Sequence, residues 1–549
     1  MAEMNSGDAI VQILKAWGVE VVFGIISIHN IPIYDAIARE GGIRVIASRS
    51  EPGAVNMADA YARASGKLGV AITSTGGGAG NAAGALVEAQ TAGSPVLHLT
   101  GQIDSAYVDK GKGYIHECKD QLGMLQSISK VAYRPISAAA IPQTLQTAIQ
   151  QALAAPRGVV SLEIPIDYQK AQTYLPDGWL ESFAPLPLSA PNSVAVDQLV
   201  KVLSRAKRPL IWAGGGVIAA DAGPELQQVA EILGAGVLTS NAGRGSLPEN
   251  HPLCIGNFAN QTSVRPLLEQ ADVLLAVGTH FRGSETISWK LPLPATIVQI
   301  DVDPLAIGRS YPVTVGLVAD AKPALAALAH ALKATQLKPD PEYKALVTHI
   351  RETAHAAFRE TLGPYAQIMD VVRSSLDHDA LIVRDVTIPV TTWGNRLLQI
   401  YEPRTSIHAA AGGIGQGFQM ALGAKLAQPD KQVLVMCGDG GFMVNLGEMA
   451  TAVQEKLNIV AILFNDGGYG VLRNIQNKTY GARNIAVNLH TPDFVKVAQA
   501  FGLWATRVEH LDDFETALHA AFAANQPAII EINQAGIGPM NQLFAGPNL

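Results

Sequence analysis

Lys431 to Gly470 reads KQVLVMCGDGGFMVNLGEMATAVQEKLNIVAILFNDGGYG, and its punctuation decides the architecture. Val433 to Cys437 is a short apolar run that stops at Gly438-Asp439-Gly440-Gly441, the pattern of a buried strand entering a tight turn. Leu446, Met449, Ala450, Val453 and Leu457 then recur at helical spacing, and Ile459 to Phe464 is a second apolar run ending at Asn465-Asp466-Gly467-Gly468. Strand, helix, strand implies a right-handed crossover between parallel strands, which brings both turns to one edge of a sheet. There Asp439 and Asp466 would each offer a carboxylate oxygen to a hard cation, while the glycines expose backbone groups beside a helix start suited to phosphate. The geometry suggests a Mg²⁺-bridged diphosphate.

Working outward, the same alternation fills the rest of the chain. Ala9, Ile10, Ile13, Leu14 and Trp17 form a helical face, followed by strand-like runs at Val21–Gly24, Leu68–Ile72, Val96–Leu99 and Val159–Ile164. Proline and small residues from Ser182 to Asn192 read as a linker. A second unit contains strands at Pro209–Trp212, Val237–Thr239, Val273–Val277 and Ile297–Val302, and a polar stretch near Thr335–Tyr343 separates it from a third. The fold class is therefore α/β, with three doubly wound α/β domains over residues 1–181, 193–334 and 363–549.

The 549 residues carry 40 basic and 47 acidic side chains, a net charge of −7, so there is no basic footprint for nucleic acid or an anionic membrane. Apolar runs are interrupted too often to span a bilayer. Small molecules and further copies of the chain are the expected partners. Cys118, Cys254 and Cys437 lack paired spacing, and the N-terminus enters an amphipathic helix without a secretory pattern, so a cytoplasmic location is expected.

Four other segments carry candidate chemistry. In Ala47–Arg63, ASRSEPGAVNMADAYAR, Glu51 stands between a strand-like run and a helix with Ala54, Val55, Ala58 and Tyr61 on its buried side. A carboxylate there is partly desolvated, the condition under which proton affinity rises, although a Glu at a helix start ordinarily serves only the helix dipole. Ile72–Leu86, ITSTGGGAGNAAGAL, is a strand, a glycine-rich turn and a helix containing Asn81. Ala409–Ala427, AAAGGIGQGFQMALGAKLA, presents Gly413 and Ile414, and Thr387 follows a strand in Asp385-Val386-Thr387. His29 and His116 could relay protons near neutral pH, or equally be structural.

These segments resemble thiamine diphosphate enzymes along essentially the whole chain. Asp439 and Asp466, 27 residues apart, match the spacing of that family's GDG-to-NN metal motif, with Asp466 where Asn is usual. The resemblance makes Asp439 and Asp466 the side-chain Mg²⁺ ligands and Gly468 the carbonyl ligand, with Gly440 and Gly441 beside the cofactor. Ala47–Arg63 is similar to the family's H-E-x-x-A-x-x-M-A-x-G-Y-A-R segment. It gives Glu51 the role of hydrogen-bonding the aminopyrimidine, so that the exocyclic nitrogen removes the thiazolium C2 proton; Ser50 stands where many members have His, and Ala60 where many have Gly. Ile72–Leu86 resembles the GPGATN segment of acetolactate synthases, which makes Asn81 a cofactor-side or interface contact. Ala409–Ala427 resembles the AAGGLG segment of benzoylformate decarboxylase, which places Ile414 beneath the bent cofactor. Thr387 could supply a hydroxyl to the diphosphate. His29 matches a histidine of a benzaldehyde lyase, and His116 approximates the active-site Gln of acetolactate synthases.

The resemblance implies pyrimidine-binding, central and diphosphate-binding domains in that order. It also implies a homodimer at least, commonly a homotetramer, with Glu51 of one subunit facing Asp439 and Asp466 of another. The implied cofactors are thiamine diphosphate and Mg²⁺. FAD is doubtful, because Gly214–Gly216 lacks the G-x-G-x-x-G spacing and Ala259-Asn260-Gln261-Thr262 replaces the HG pair of flavin-binding relatives. The leading expectation is an acetolactate synthase-like carboligase or decarboxylase of a 2-oxo acid. Ile475 in place of a substrate-recognising Trp, and Ser284 in place of an Arg, raise the alternative of a benzoylformate decarboxylase or benzaldehyde lyase-like enzyme. A non-catalytic thiamine diphosphate-binding regulatory protein is a third reading, against which Glu51 argues, since binding alone does not need that acid.

Overall fold

The computed structural model describes residues 2–544 of the chain; Met1 and residues 545–549, at the outer ends of the first and third expected domains, lie outside them. Three six-stranded sheets, each wholly parallel, are stacked with helices. In the first, the strands run in space as Arg44–Ala47, Val21–Gly24, Gly69–Thr73, Val96–Gln102, Val159–Pro165 and Val131–Tyr133. The third runs as Ser406–His408, Leu381–Arg384, Val433–Gly438, Val460–Asn465, Ala528–Asn533 and Trp504–Val508. Numbered within each sheet, both follow the order 2-1-3-4-6-5, so the two outer sheets share one topology. The central sheet differs: Cys254–Gly256, Gly236–Thr239, Pro209–Ala213, Val273–Val277, Thr296–Asp301 and Val315–Val318 give the order 3-2-1-4-5-6 of a dinucleotide fold.

The central strands are buried on both faces, as their continuous apolar runs require. Helix Pro341–Glu360, beyond the polar stretch, packs Tyr343, Val347, Ile350 and Ala354 into the central core. Gly214 and Gly216 serve packing: a Cβ on Gly214 would stand 2.1 Å from the Gly278 carbonyl oxygen, and one on Gly216 2.7 Å from the Gly278 Cα. Those glycines let two strand ends touch.

One hydrophobic core spans the outer domains. Helix Glu51–Ser65 contributes Ala54, Met57 and Ala58, and helix Gly417–Ala427 contributes Phe418, Ala421 and Leu422. Gly423 permits the close approach, since a Cβ there would lie 2.1 Å from the Met57 carbonyl oxygen. This explains why helix Glu51–Ser65 is buried on nearly every side, beyond the single face that its sequence marks. Among the described residues no helix is long and apolar enough to cross a membrane.

Candidate active site

Strands Val433–Gly438 and Val460–Asn465 pair in parallel, and their C-terminal ends bring Asp439 and Asp466 to one edge. Helix Asp439–Phe442 starts directly after the first strand. The expected longer helix begins only at Glu448, after a 3₁₀ turn over Met443–Asn445, and its buried side is Glu448, Met449, Thr451 and Ala452 rather than the stripe through Ala450 and Val453. Its burial is set by the first domain: the Glu448 carboxylate accepts from the backbone N–H groups of Arg49 and Ser50 at 3.0 Å each, and from the Ser50 hydroxyl at 3.1 Å.

Asp439 is 1% exposed, and its Oδ2 accepts from the Gly468 N–H at 2.8 Å. Gly440 lets the two turns meet, because a Cβ there would press on the Tyr469 ring at 2.8 Å and the Gly468 carbonyl oxygen at 3.0 Å. Gly441 similarly admits Gly415 and Ile414. Burial pushes the Asp439 carboxyl up to about 6, with the charge of Asp466 as the next cause. Burial also raises Asp466, against the pull of Arg473, whose Nη2 lies 3.8 Å from Asp466 Oδ1. That Oδ1 is buried without a hydrogen-bond partner. Two desolvated carboxylates with an unpartnered oxygen between glycine turns are what a hard oxygen-seeking cation requires. Among the described residues no set of three or more His, Cys, Asp or Glu side chains gathers as a metal site, so further oxygens would come from backbone, water or ligand.

The carboxylates open into a cavity of about 1180 Å³, whose wall also includes Thr387, Ile414, Gly440, Gly441 and Gly468. Gly413 is half-buried in the neighbouring loop and Ile414 is 36% exposed. The lining fits a diphosphate-bearing cofactor: a hydroxyl, backbone amides at a helix start and two carboxylates converge on one space. The cavity continues into the central domain past His280, Arg282 and Asp301.

Glu51 stands on the first domain. Ser50 caps its helix through the Gly53 N–H at 3.0 Å, and Glu51 Oε2 accepts from Asn81 Nδ2 at 3.3 Å. Gly78 leaves room for the carboxylate, since a Cβ there would be 3.0 Å from Glu51 Oε1. Glu51 and Asn81 are not in the wall of the cavity around Asp439. His29 and His116 come together at 5.2 Å between ring centroids, edge to face. His29 is 2% exposed, with Nε2 at 3.2 Å from the Ile115 carbonyl oxygen and Nδ1 unpartnered. Burial lowers its pKa, with His116 as the second cause. His116 takes a left-handed φ of 65°, and its carbonyl oxygen would be 2.1 Å from a Cβ on Gly76. The structure thus gathers three sets: the carboxylate cavity, the Glu51–Asn81 pair and the histidine pair.

Two carboxylates here have no role in the sequence reading, which names Asp385 only as a neighbour of Thr387. Asp385, beside Thr387, accepts from the Gly415 and Gly417 N–H groups at 3.0 Å each and so shapes the loop carrying Ile414; burial pushes its carboxyl up to about 6. Its place directly after a strand was the available signal. Glu448 carries no local signal, since its partners lie roughly 400 residues away in sequence.

Three family models match the chain: the N-terminal TPP binding domain of thiamine pyrophosphate enzymes over residues 4–124, their central domain over 196–328, and their C-terminal TPP binding domain over 389–532. The first spans His29, Glu51, Asn81 and His116, and the last spans Ile414, Asp439, Asp466 and Gly468. The chain is 30% identical to a probable acetolactate synthase large subunit of Methanocaldococcus jannaschii, covering 96% of this chain and 92% of the relative. It is 32% identical to a probable 2-ketoarginine decarboxylase of Pseudomonas aeruginosa, with 97% and 94% covered. Among solved structures, the thiamine diphosphate-dependent 4-hydroxybenzoylformate decarboxylase of Rhodococcus jostii RHA1 superposes with a TM-score of 0.84 at 25% identity, covering 97% of this chain and 99% of that one.

Proposed function

The chain belongs to the thiamine pyrophosphate enzyme family, and on that premise we propose that it is a Mg²⁺-dependent carboligase or decarboxylase of the acetolactate synthase type, acting on a 2-oxo acid. The observation that carries this reading is the buried pair Asp439 and Asp466, facing glycine turns in a cavity with Thr387 and Ile414. Asp439, Asp466 and the Gly468 carbonyl would hold Mg²⁺, while Gly440, Gly441 and the Thr387 hydroxyl would receive the diphosphate. When bound, thiamine diphosphate supplies a nucleophilic carbon for a carbonyl substrate and a ring that takes up electrons on C–C cleavage. Ile414 would support the cofactor, and Glu51, held by Asn81, would offer its carboxylate as the hydrogen-bond partner of the cofactor's pyrimidine.

Because Glu51 is absent from the wall around Asp439, we propose that the site is completed between subunits of a homodimer, with a homotetramer as the larger assembly. Supporting this, Gly77, Gly80 and Gly84 beside Glu51 have nothing within 4 Å of where a Cβ would stand, which leaves that helix face open to close approach. The two histidines would relay protons on the substrate side. A reducing cytoplasm suits the three free cysteines. No flavin is part of the proposal: the purified protein is expected to lack visible flavin absorbance, and a stoichiometric yellow cofactor released on denaturation would add one.

A second reading, a lyase or decarboxylase of aromatic substrates, draws on the apolar rim near the histidines, where Ile26, Ile28 and Ile115 are 60%, 52% and 58% exposed. A panel of aliphatic and aromatic 2-oxo acids and 2-hydroxy ketones, assayed with thiamine diphosphate and Mg²⁺, tests both. CO₂ release from an aliphatic 2-oxo acid is the expected result. Turnover confined to aromatic substrates favours the second reading, and inertness toward every compound counts against both.

A further inference from the structure

The segment between strand Ser406–His408 and helix Gly417–Ala427 carries Ile414 to the cavity, and all three domains hold it. The third domain grips its far end through Asp385. The first domain grips its near end: the Glu88 carboxylate, 0% exposed, accepts from the Ala410 N–H and, at 2.7 Å, from the Ala411 N–H. Arg63 holds Glu88 at 3.0 Å and donates to the His408 carbonyl at 2.6 Å. From the central domain, Arg282 Nη1 donates to the Ala410 carbonyl at 2.6 Å, while Nη2 donates to the Thr91 carbonyl at 2.8 Å. The Ala410 residue is thereby clamped by a carboxylate on its N–H and a guanidinium on its C=O.

The turn that presents Arg282 is over-determined. Phe281, Ile287, Ser288 and Trp289 have φ values of 51°, 53°, 52° and 61°, a left-handed conformation unfavourable for residues with side chains. Bonds from Trp289 Nε1 to the Phe281 carbonyl at 2.8 Å, from Ser288 N–H to the Gly283 carbonyl at 2.7 Å and from the Thr286 hydroxyl to the Arg282 carbonyl at 2.9 Å impose it. A rigid support under a two-pronged cation suits positioning: the planar fork reaches two carbonyls on different domains, where an ammonium makes point contacts from a flexible stem.

We propose that Arg282 is a positioning residue for the cofactor, fixing the Ala410 peptide and through it the seat of Ile414, so that the central domain sets the geometry of a site built by the outer two. The inference rests on the thiamine diphosphate reading of the cavity. Amide hydrogen exchange of the cofactor-free full chain tests the clamp by itself. In Arg282→Ala the amides over 411–415 should exchange roughly tenfold faster, the effect of losing one charge-assisted hydrogen bond, while those of Val433–Gly438 stay at the wild-type rate. Arg282→Lys should fall between, and Glu88→Gln should loosen the same amides. With thiamine diphosphate and Mg²⁺ added, deuterium exchange at the cofactor C2 position should slow in the Ala variant by a similar factor, with cofactor affinity, read by titration of intrinsic fluorescence, nearly unchanged. Equal acceleration in loop and strand, or unaltered C2 exchange, would overturn the proposal by reducing Arg282 to a general interdomain tie. Failure of the wild type to promote C2 exchange would instead remove the cofactor reading, which the loop amides do not depend on.

Discussion

The first and third domains share the strand order 2-1-3-4-6-5, yet the same four loop positions carry different chemistry. After the first strand come His29 in one domain and Thr387 in the other; after the second, Glu51 and Ile414. After the third come the Gly76–Gly78 turn and Asp439; after the fourth, His116 and Asp466. Topology delivers these positions to one sheet edge in each domain because parallel crossovers leave their loops there. Residue type then divides the labour. The third domain has two desolvated carboxylates and glycine turns, groups suited to a cation and a phosphate, whereas the first has one carboxylate and two imidazoles, groups suited to moving protons.

The sharpest way to break that division is to remove a carboxylate of the third domain. Asp439→Ala is expected to abolish cofactor retention and activity together, read as thiamine diphosphate content after gel filtration and as turnover. Full activity in that variant without added metal would sink the assignment of the third domain.

Removing the acid of the first domain should have the complementary signature. Glu51→Gln is expected to bind thiamine diphosphate nearly normally while turnover falls by on the order of 10²-fold, the range for a positioned acid or base. Exchange of the cofactor C2 proton with deuterated solvent, followed by rapid quench, isolates the step; an unchanged rate would reduce Glu51 to a helix-start residue.

A smaller effect tests how the two domains are joined. Gly423→Ala places a methyl against the Met57 carbonyl oxygen, so unfolding by denaturant should show a loss of about 1–3 kcal/mol from overpacking. Undiminished stability would mean that the helices separate at little cost.

The smallest expected effect concerns the proton on Asp439. Asp439 holds its proton up to about pH 6 in the folded protein, above its ordinary value of 3.8. The folded state therefore gains from that proton below 3.8, and the gain disappears as pH rises through about 6. Metal-free wild type should lose thermal stability relative to Asp439→Asn across that window, and Mg²⁺ should restore it on the alkaline side. Parallel melting profiles for the two proteins would show that Asp439 is not the strained group.

Much of this was legible in the chain. Apolar runs ending at Gly-Asp-Gly-Gly and Asn-Asp-Gly-Gly identify neighbouring parallel strands, so the approach of Asp439 to Asp466 follows from local pattern and a handedness rule. The position of Glu51 was legible for a similar reason, since it sits where a strand-like run gives way to a helix. The face of helix Glu448–Gln454 was not, because Glu448 is buried by bonds to Arg49 and Ser50 on another domain. Nor was the His29–His116 contact, which depends on how a left-handed turn at His116 folds over Gly76.

By itself the sequence determined the α/β class, the three parallel sheets, and the placing of Asp439, Asp466 and Glu51 at strand ends, because hydrophobic periodicity and glycine punctuation act over a few residues. Tertiary structure alone decided which loops share a wall, why Glu88 and Arg282 meet at Ala410, and why Asp439 holds its proton so far above an ordinary carboxylate. Those outcomes depend on desolvation and on hydrogen bonds between residues more than 100 positions apart, and no local pattern encodes such distances.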